Sequence, residues 1–223
     1  MINIDRNQAA PQCLAVEKLK PSSQNYRCGD VINKLEAIFF NKCYLCEQKA
    51  PTGINVEHFI PHRKNRDLMF DWNNLYFVCP HCNNIKGDKH DNILNCTEIQ
   101  PIVTDVIKFL INPFPNEIAY IQALNGSEIV INTANLLDKI YNSPNSTPLK
   151  KLESANLRNQ LSKELNEFTR YTVEYAYENF PSKKQDLKTI IIKHLQKDSP
   201  FSAFKIWQIK TSNFLSKEFA EHI

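Results

Sequence analysis

Glycine is scarce in this chain, with four residues in 223 against 12 prolines. That disfavours strands joined by glycine turns, and apolar residues recur instead at three- and four-residue spacing, which points to a helical protein around a small irregular centre. Long apolar runs are missing too. No stretch approaches the ~18 apolar residues of a membrane span, and Met1-Ile2-Asn3-Ile4-Asp5-Arg6 has no apolar leader core, so the expectation is a cytoplasmic protein with no membrane partner. Internal repeats and low-complexity tracts are absent. The formal net charge of +3 is too small to name a partner. Its distribution says more: residues 183–217 hold eight lysines (183, 184, 188, 193, 197, 205, 210 and 217) against Asp186 and Asp198. The solvated face of amphipathic helices is the simpler reading of that segment, with a nucleic-acid track as the alternative.

What the chain does have is cysteine in a pattern. Cys43-x-x-Cys46 and Cys79-x-x-Cys82 are two close pairs. Four thiolates fill a tetrahedral Zn²⁺ shell and leave no open position, so the ion would be structural and the chemistry must lie between the pairs. His81 sits inside the second pair as a competing ligand that a full sulfur shell does not need. Cys13, Cys28 and Cys96 are scattered, and are expected to be free thiols in a reducing compartment.

Three segments follow from composition. Residues 1–27 are polar and broken by Pro11 and Pro21, with isolated Leu14, Val16 and Leu19, and read as an extended N-terminal arm. Residues 28–95 form the core with the four-cysteine zinc site. Within it, Asp30 caps a helix running to about Phe40, Ile54–Ile60 alternates as a strand stopped by Pro61, and Leu75–Val78 is its hairpin partner. Pro80 and Gly87 delimit a short helix carrying Asn83. Residues 96–223 are mainly helical and suited to docking a partner or nucleic acid. A hairpin turning at Asn125-Gly126 between Ile118–Leu124 and Glu128–Ile131 comes first. Helices follow from Pro148, around Leu187–Leu195, and after Pro200. The fold class is α+β, a predominantly helical chain around a zinc-stapled centre.

Between the cysteine pairs lie a carboxylate, an imidazole and amides. Hydrolysis of a phosphodiester needs a base for the attacking water and a cation for the developing negative charge. His58 is the candidate base, because an imidazole titrates near neutrality. Glu57 and Asn83 offer oxygen ligands suited to Mg²⁺ or Mn²⁺. Neighbours on a strand point to opposite faces, so Glu57 and His58 serve one site only if the strand ends or twists between them. Asn74 would bridge backbone groups across residues 59–73 and orient His58. Lys86 could reach a phosphate oxygen, with Arg63, Lys64 and Arg66 along the flanking backbone.

These residues resemble the HNH endonuclease family, whose fold is the ββα-metal, treble-clef-like unit. The resemblance is carried by Cys43-Tyr-Leu-Cys46, Val56-Glu57-His58-Phe59-x-Pro61, Trp72-Asn73-Asn74-Leu75 and Cys79-Pro-His-Cys82-Asn83-Asn-Ile-Lys86-Gly87. It implies that His58 is the general base, that Glu57 and Asn83 hold the catalytic divalent ion, and that Asn74 is structural. The third signature position is often His and here is Asn. Over its whole length the chain also resembles PtuB, the nuclease subunit of Septu-type anti-phage systems, some of them retron-associated. The pieces are Ile4-Asp5-Arg6, Asn132-Thr133, Leu136-Leu137, Ile140-Tyr141-Asn142 and Ser154-Ala155-Asn156-Leu157-Arg158. That implies a PtuA-type ATPase partner in a hetero-oligomer, with the arm and the helical region as docking surfaces. DNA is the favoured substrate. The alternatives are an RNase effector, for example one cleaving tRNA, and a zinc-knuckle binding module whose catalytic groups have lapsed.

Overall fold

The computed structural model describes residues 1–144 and 146–223 as a mixed, mostly helical fold. At its centre, β1 (Asn55–His58) pairs antiparallel with β2 (Leu75–Val78), placing Glu57 opposite Tyr76 and His58 opposite Leu75. All four residues of β2 are buried, which its unbroken Leu-Tyr-Phe-Val run requires. Between the strands lies α3 (Arg66–Met69), whose first N–H groups are taken by the Asn65 side chain. After β2, α4 (Pro80–Lys86) starts with Cys79 as its cap and Pro80 in its first turn, where a missing N–H costs nothing. It stops at Gly87, whose φ of +48° a side chain would strain. Strand, loop, strand and helix follow in the expected order.

The N-terminal segment is not the extended arm that its polarity suggests. It contains α1 (Gln12–Leu19), and Met1, Ile2 and Ile4 are buried in the main core. Met1 places its α-ammonium 2.8 Å from Glu47, whose other carboxylate oxygen lies 3.6 Å from Lys42. Ile4 N–H donates to the Cys96 carbonyl, and Arg6 lies over the Trp72 and Tyr76 rings while donating to the Leu75 and Trp72 carbonyls. Composition misleads here because the order comes from distant partners. The main core runs from Met1 to Phe204, across both segment boundaries drawn from the sequence.

Two of the three scattered cysteines are not free thiols. Cys13 and Cys28 form a disulfide that joins α1 to the start of α2 (Gly29–Ile38), and Cys96 alone of the three stays free, buried where its carbonyl accepts from Ile4 N–H. Closing a loop of this length removes unfolded-state entropy equivalent to about 3 kcal/mol. Reduction, or the Cys13→Ser/Cys28→Ser pair, is therefore expected to lower the unfolding free energy by that amount, read as a lower urea midpoint by tryptophan fluorescence with the zinc content held constant.

The hairpin expected at Asn125-Gly126 does not form. After the short α5 (Val103–Val106), β3 (Ile107–Leu110) pairs with β4 (Tyr120–Ala123), while Glu128 opens α6 (Glu128–Asn142). Helix wins because Val130, Ala134, Leu137 and Tyr141 share a buried stripe at three- and four-residue spacing. Then come α7 (Pro148–Tyr177), α8 (Pro181–Leu195), α9 (Ser202–Lys210) and α10 (Leu215–Glu218). Their far end packs a second cluster that includes Phe168, Ile191, Ile209 and Phe219. Half of the 183–217 lysines are tied into ion pairs. Lys183, Lys197, Lys205 and Lys210 pair with Glu178, Asp5, Glu164 and Asp105, and Lys205 is wholly buried. No helix among the described residues is long and apolar enough to cross a membrane.

Candidate active site

The four sulfurs of Cys43, Cys46, Cys79 and Cys82 converge, buried, within 4.8 Å of one another. Tetrahedral zinc with Zn–S bonds near 2.3 Å needs sulfurs about 3.8 Å apart, and Cys46 Sγ lies 3.9 Å from Cys79 Sγ. The donor set, its burial and its size all fit Zn²⁺. Cys43 and Cys46 come from the turn after α2, and Cys79 and Cys82 from the start of α4. His81 is not a ligand: its Nδ1 meets Glu153 at 3.0 Å and its Nε2 the Ile140 carbonyl at 2.8 Å. It ties the zinc knuckle to α6 and α7.

A cleft of about 370 Å³ opens beside the knuckle, and Glu57, His58, Asn83 and Lys86 all line it. β1 ends at His58, so Glu57 and its neighbour reach one cleft without violating strand alternation. The His58 ring is fixed at Nε2, 3.0 Å from the Met69 carbonyl. A carbonyl only accepts, so Nε2 carries the hydrogen and the neutral ring keeps the Nδ1 lone pair. Burial, offset by the Met69 carbonyl, holds the His58 pKa below the ordinary histidine value. The neutral, proton-accepting form is thereby favoured.

Glu57 is buried, accepts from the Tyr44 hydroxyl, and lies 3.7 Å from the Lys86 ammonium. Burial outweighs these partners and pushes its pKa up to about 7. Asn83 lines the same cleft and brings an amide oxygen, a hard donor of the type that Mg²⁺ or Mn²⁺ takes. Asn74, buried under the loop, accepts from Ile60 N–H at 2.7 Å and donates to the Ile60 and Leu68 carbonyls at 2.9 and 3.0 Å. It spans the loop between the strands at the level of His58. Asn74→Ala is expected to cost at least about 1–3 kcal/mol, because it strands buried backbone groups. Urea unfolding of the zinc-loaded protein measures that.

Lys86 and Arg66 do not stand where the sequence suggests. The Lys86 ammonium is turned inward, donating to the Phe59 and His58 carbonyls at 3.0 and 3.2 Å, and the residue is 1 % exposed. With two carbonyls and a carboxylate around it, this cation organises the site from within. Arg66 donates into backbone carbonyls between Glu17 and Ser23, away from the cleft. Arg63 is the exposed cation on the cleft rim, 3.5 Å from Asp91, with Lys64 beside it. Both hold positive φ, 44° and 67°, in the turn after His62.

Two aromatic neighbours of His58 lie outside the site expected from the sequence: His62, a loop histidine that the sequence reading leaves without a role, and Tyr26. His62 lies 4.6 Å away centroid to centroid, and its Nδ1 accepts from Lys64 N–H. The spacing Glu57-His58-x-x-Pro61-His62 could have signalled it. Tyr26 stands edge-on to His58 at 4.4 Å, and nothing local in its sequence announces that contact.

Comparison with known proteins agrees with this geometry over one segment. Residues 43–89 match the family model described as HNH endonuclease, from the first zinc cysteine to just beyond the helix carrying Asn83. No curated protein matches the chain. The match holds the four cysteines, Glu57, His58, Asn74 and Asn83. Metal-dependent nuclease activity is what this family implies in general, and the segment from Cys43 to Lys89 is an HNH endonuclease domain.

Proposed function

We propose that this protein hydrolyses nucleic-acid phosphodiester bonds with His58 as general base. The observation that carries the reading is the meeting of Glu57, Asn83 and an oriented His58 on one cleft, with the His58 Nδ1 lone pair uncommitted among the described residues. Nδ1 takes the proton of the attacking water as oxygen closes on phosphorus opposite the leaving oxygen. Met69 C=O keeps its hydrogen bond to Nε2–H throughout, so the imidazolium that forms remains bonded and in place. Glu57 and Asn83 would hold Mg²⁺ or Mn²⁺, whose charge stabilises the crowded phosphate and the departing oxygen. Lys86 offsets part of the Glu57 charge and braces the end of β1 through two carbonyls. Arg63 and Lys64 face flanking phosphates at the rim.

DNA is the favoured polymer and RNA the alternative. The resemblance to PtuB supports a role as the nuclease of an anti-phage system, working in a hetero-oligomer with a PtuA-type ATPase. The test is co-expression with the neighbouring open reading frame, followed by incubation with DNA and RNA in Mg²⁺ or Mn²⁺. Cleavage by wild type and not by His58→Ala supports the site and identifies the polymer. Equal cleavage by both proteins rejects it. Cleavage by the lone chain as fast as by the complex rejects control by a partner.

A further inference from the structure

We propose that Tyr26 is a positioning residue for His58, held in place by a cross-linked strap that the HNH segment does not include. The role presupposes His58 as the base. The strap is the stretch from Cys13 to Cys28, closed on itself by the disulfide between those residues. It comprises α1 and the turn that follows. The last carbonyls of a helix have no partner within it, and they form the negative end of its dipole. Here one guanidinium serves the end of α1 and the turn beyond it: Arg66 donates to the carbonyls of Lys18, Lys20 and Ser23 at 2.6, 2.9 and 2.9 Å. A second tie joins Lys18 to Asp67 at 2.7 Å.

Arg66 and Asp67 open α3, and Met69, which closes it, supplies the carbonyl that fixes His58 Nε2. The strap therefore grips the same four-residue helix that orients the imidazole. It also presents Tyr26 directly, with ring centroids 4.4 Å apart and planes inclined at 62°, an edge-to-face aromatic pair. Without Tyr26, only the Met69 hydrogen bond and the tilted His62 ring at 4.6 Å would restrain the imidazole among the described aromatic and polar contacts. Rotation about a single hydrogen bond swings Nδ1 off the water, and misplacement by about 1 Å can cost 10²-fold in rate. The Tyr26 hydroxyl takes no part in this; the ring does.

The experiment compares zinc-loaded wild type, Tyr26→Ala and Tyr26→Phe, with His58→Ala alongside, by steady-state cleavage and by ¹⁵N NMR of labelled histidine rings. Tyr26→Ala is expected to lower kcat about 10–100-fold at constant KM, with Tyr26→Phe restoring it. The His58 Nε2–H signal, protected by Met69 in wild type and Tyr26→Phe, is expected to be lost to solvent exchange in Tyr26→Ala. The NMR arm decides whether or not a substrate has been found. Wild-type kcat or an intact Nε2–H signal in Tyr26→Ala overturns the proposal, and so does raised KM with unchanged kcat, which would make Tyr26 a substrate contact. Should Tyr26→Ala fail to fold, Tyr26→Leu keeps apolar volume without the edge-to-face pair and is read by the same criteria. Full activity in His58→Ala would reject the base assignment itself. An inactive His58→Ala beside a fully active Tyr26→Ala would reject the positioning role alone.

Discussion

His58→Ala is expected to lower kcat by about 10²–10⁴-fold, the contribution of a positioned general base, while zinc content and melting temperature stay near wild type. The stability half of that expectation follows from where the ring sits. His58 is partly exposed on the cleft, and removing its ring opens space through which water can reach its one hydrogen-bond partner, the Met69 carbonyl. The catalytic half follows because Glu57, the other oriented acceptor on the cleft, is engaged by Tyr44 and Lys86 and is assigned to the cation in the proposed function. His62 shares the cleft, but its Nδ1 accepts from Lys64 N–H, so its neutral ring turns a donor towards solvent. His62→Ala is therefore the informative companion, expected to lose far less than His58→Ala. A His58→Ala enzyme within tenfold of wild type would mean that the water is deprotonated elsewhere.

Removal of the zinc is the second large effect. Structural zinc in small cysteine sites contributes apparent energies of about 10–16 kcal/mol, comparable with or above the whole stability of a typical domain. Here the four thiols are buried together, and among the described residues no basic side chain hydrogen-bonds to them in place of the ion. Cys82→Ser, or stripping by a zinc chelator, is expected to destabilise the protein by at least about 5 kcal/mol, a fall of about 10–20 °C in Tm. The damage should spread. The Tyr141 hydroxyl donates to the Cys46 carbonyl at 2.6 Å, and His81 binds the Ile140 carbonyl, so the knuckle anchors α6 and through Glu153 also α7. Calorimetry with metal analysis measures the loss. Refilling with Mg²⁺ alone should not restore cleavage, whereas zinc followed by Mg²⁺ should. Recovery with Mg²⁺ alone would contradict a structural role for the cysteine site.

The sequence by itself determined the parts of this protein that depend on short spans. Two Cys-x-x-Cys pairs announce a zinc site because two residues between thiolates suit one tetrahedral ion. Pro80 and Gly87 bound α4 because one lacks an N–H and the other accepts positive φ. Glu57 and His58 fall at the end of β1 because Pro61 stops a strand. Only the tertiary structure decided what depends on distant partners. The polar N-terminal residues are ordered because Glu47, Cys96 and the Trp72–Leu75 backbone meet them, and none of those meetings leaves a periodic trace in residues 1–27. Asn125-Gly126 offers a good hairpin turn, yet β3 claims β4 and the buried stripe of α6 claims the other half. Charged side chains were the least legible, since a lysine or arginine reads as a surface cation until its surroundings are known. Lys86 turned inward because the carbonyls at the end of β1 and the Glu57 carboxylate needed a donor, and Arg66 because a helix end offered unpaired carbonyls. A side chain's donors go where unsatisfied acceptors are buried, and that inventory exists only once the chain has folded.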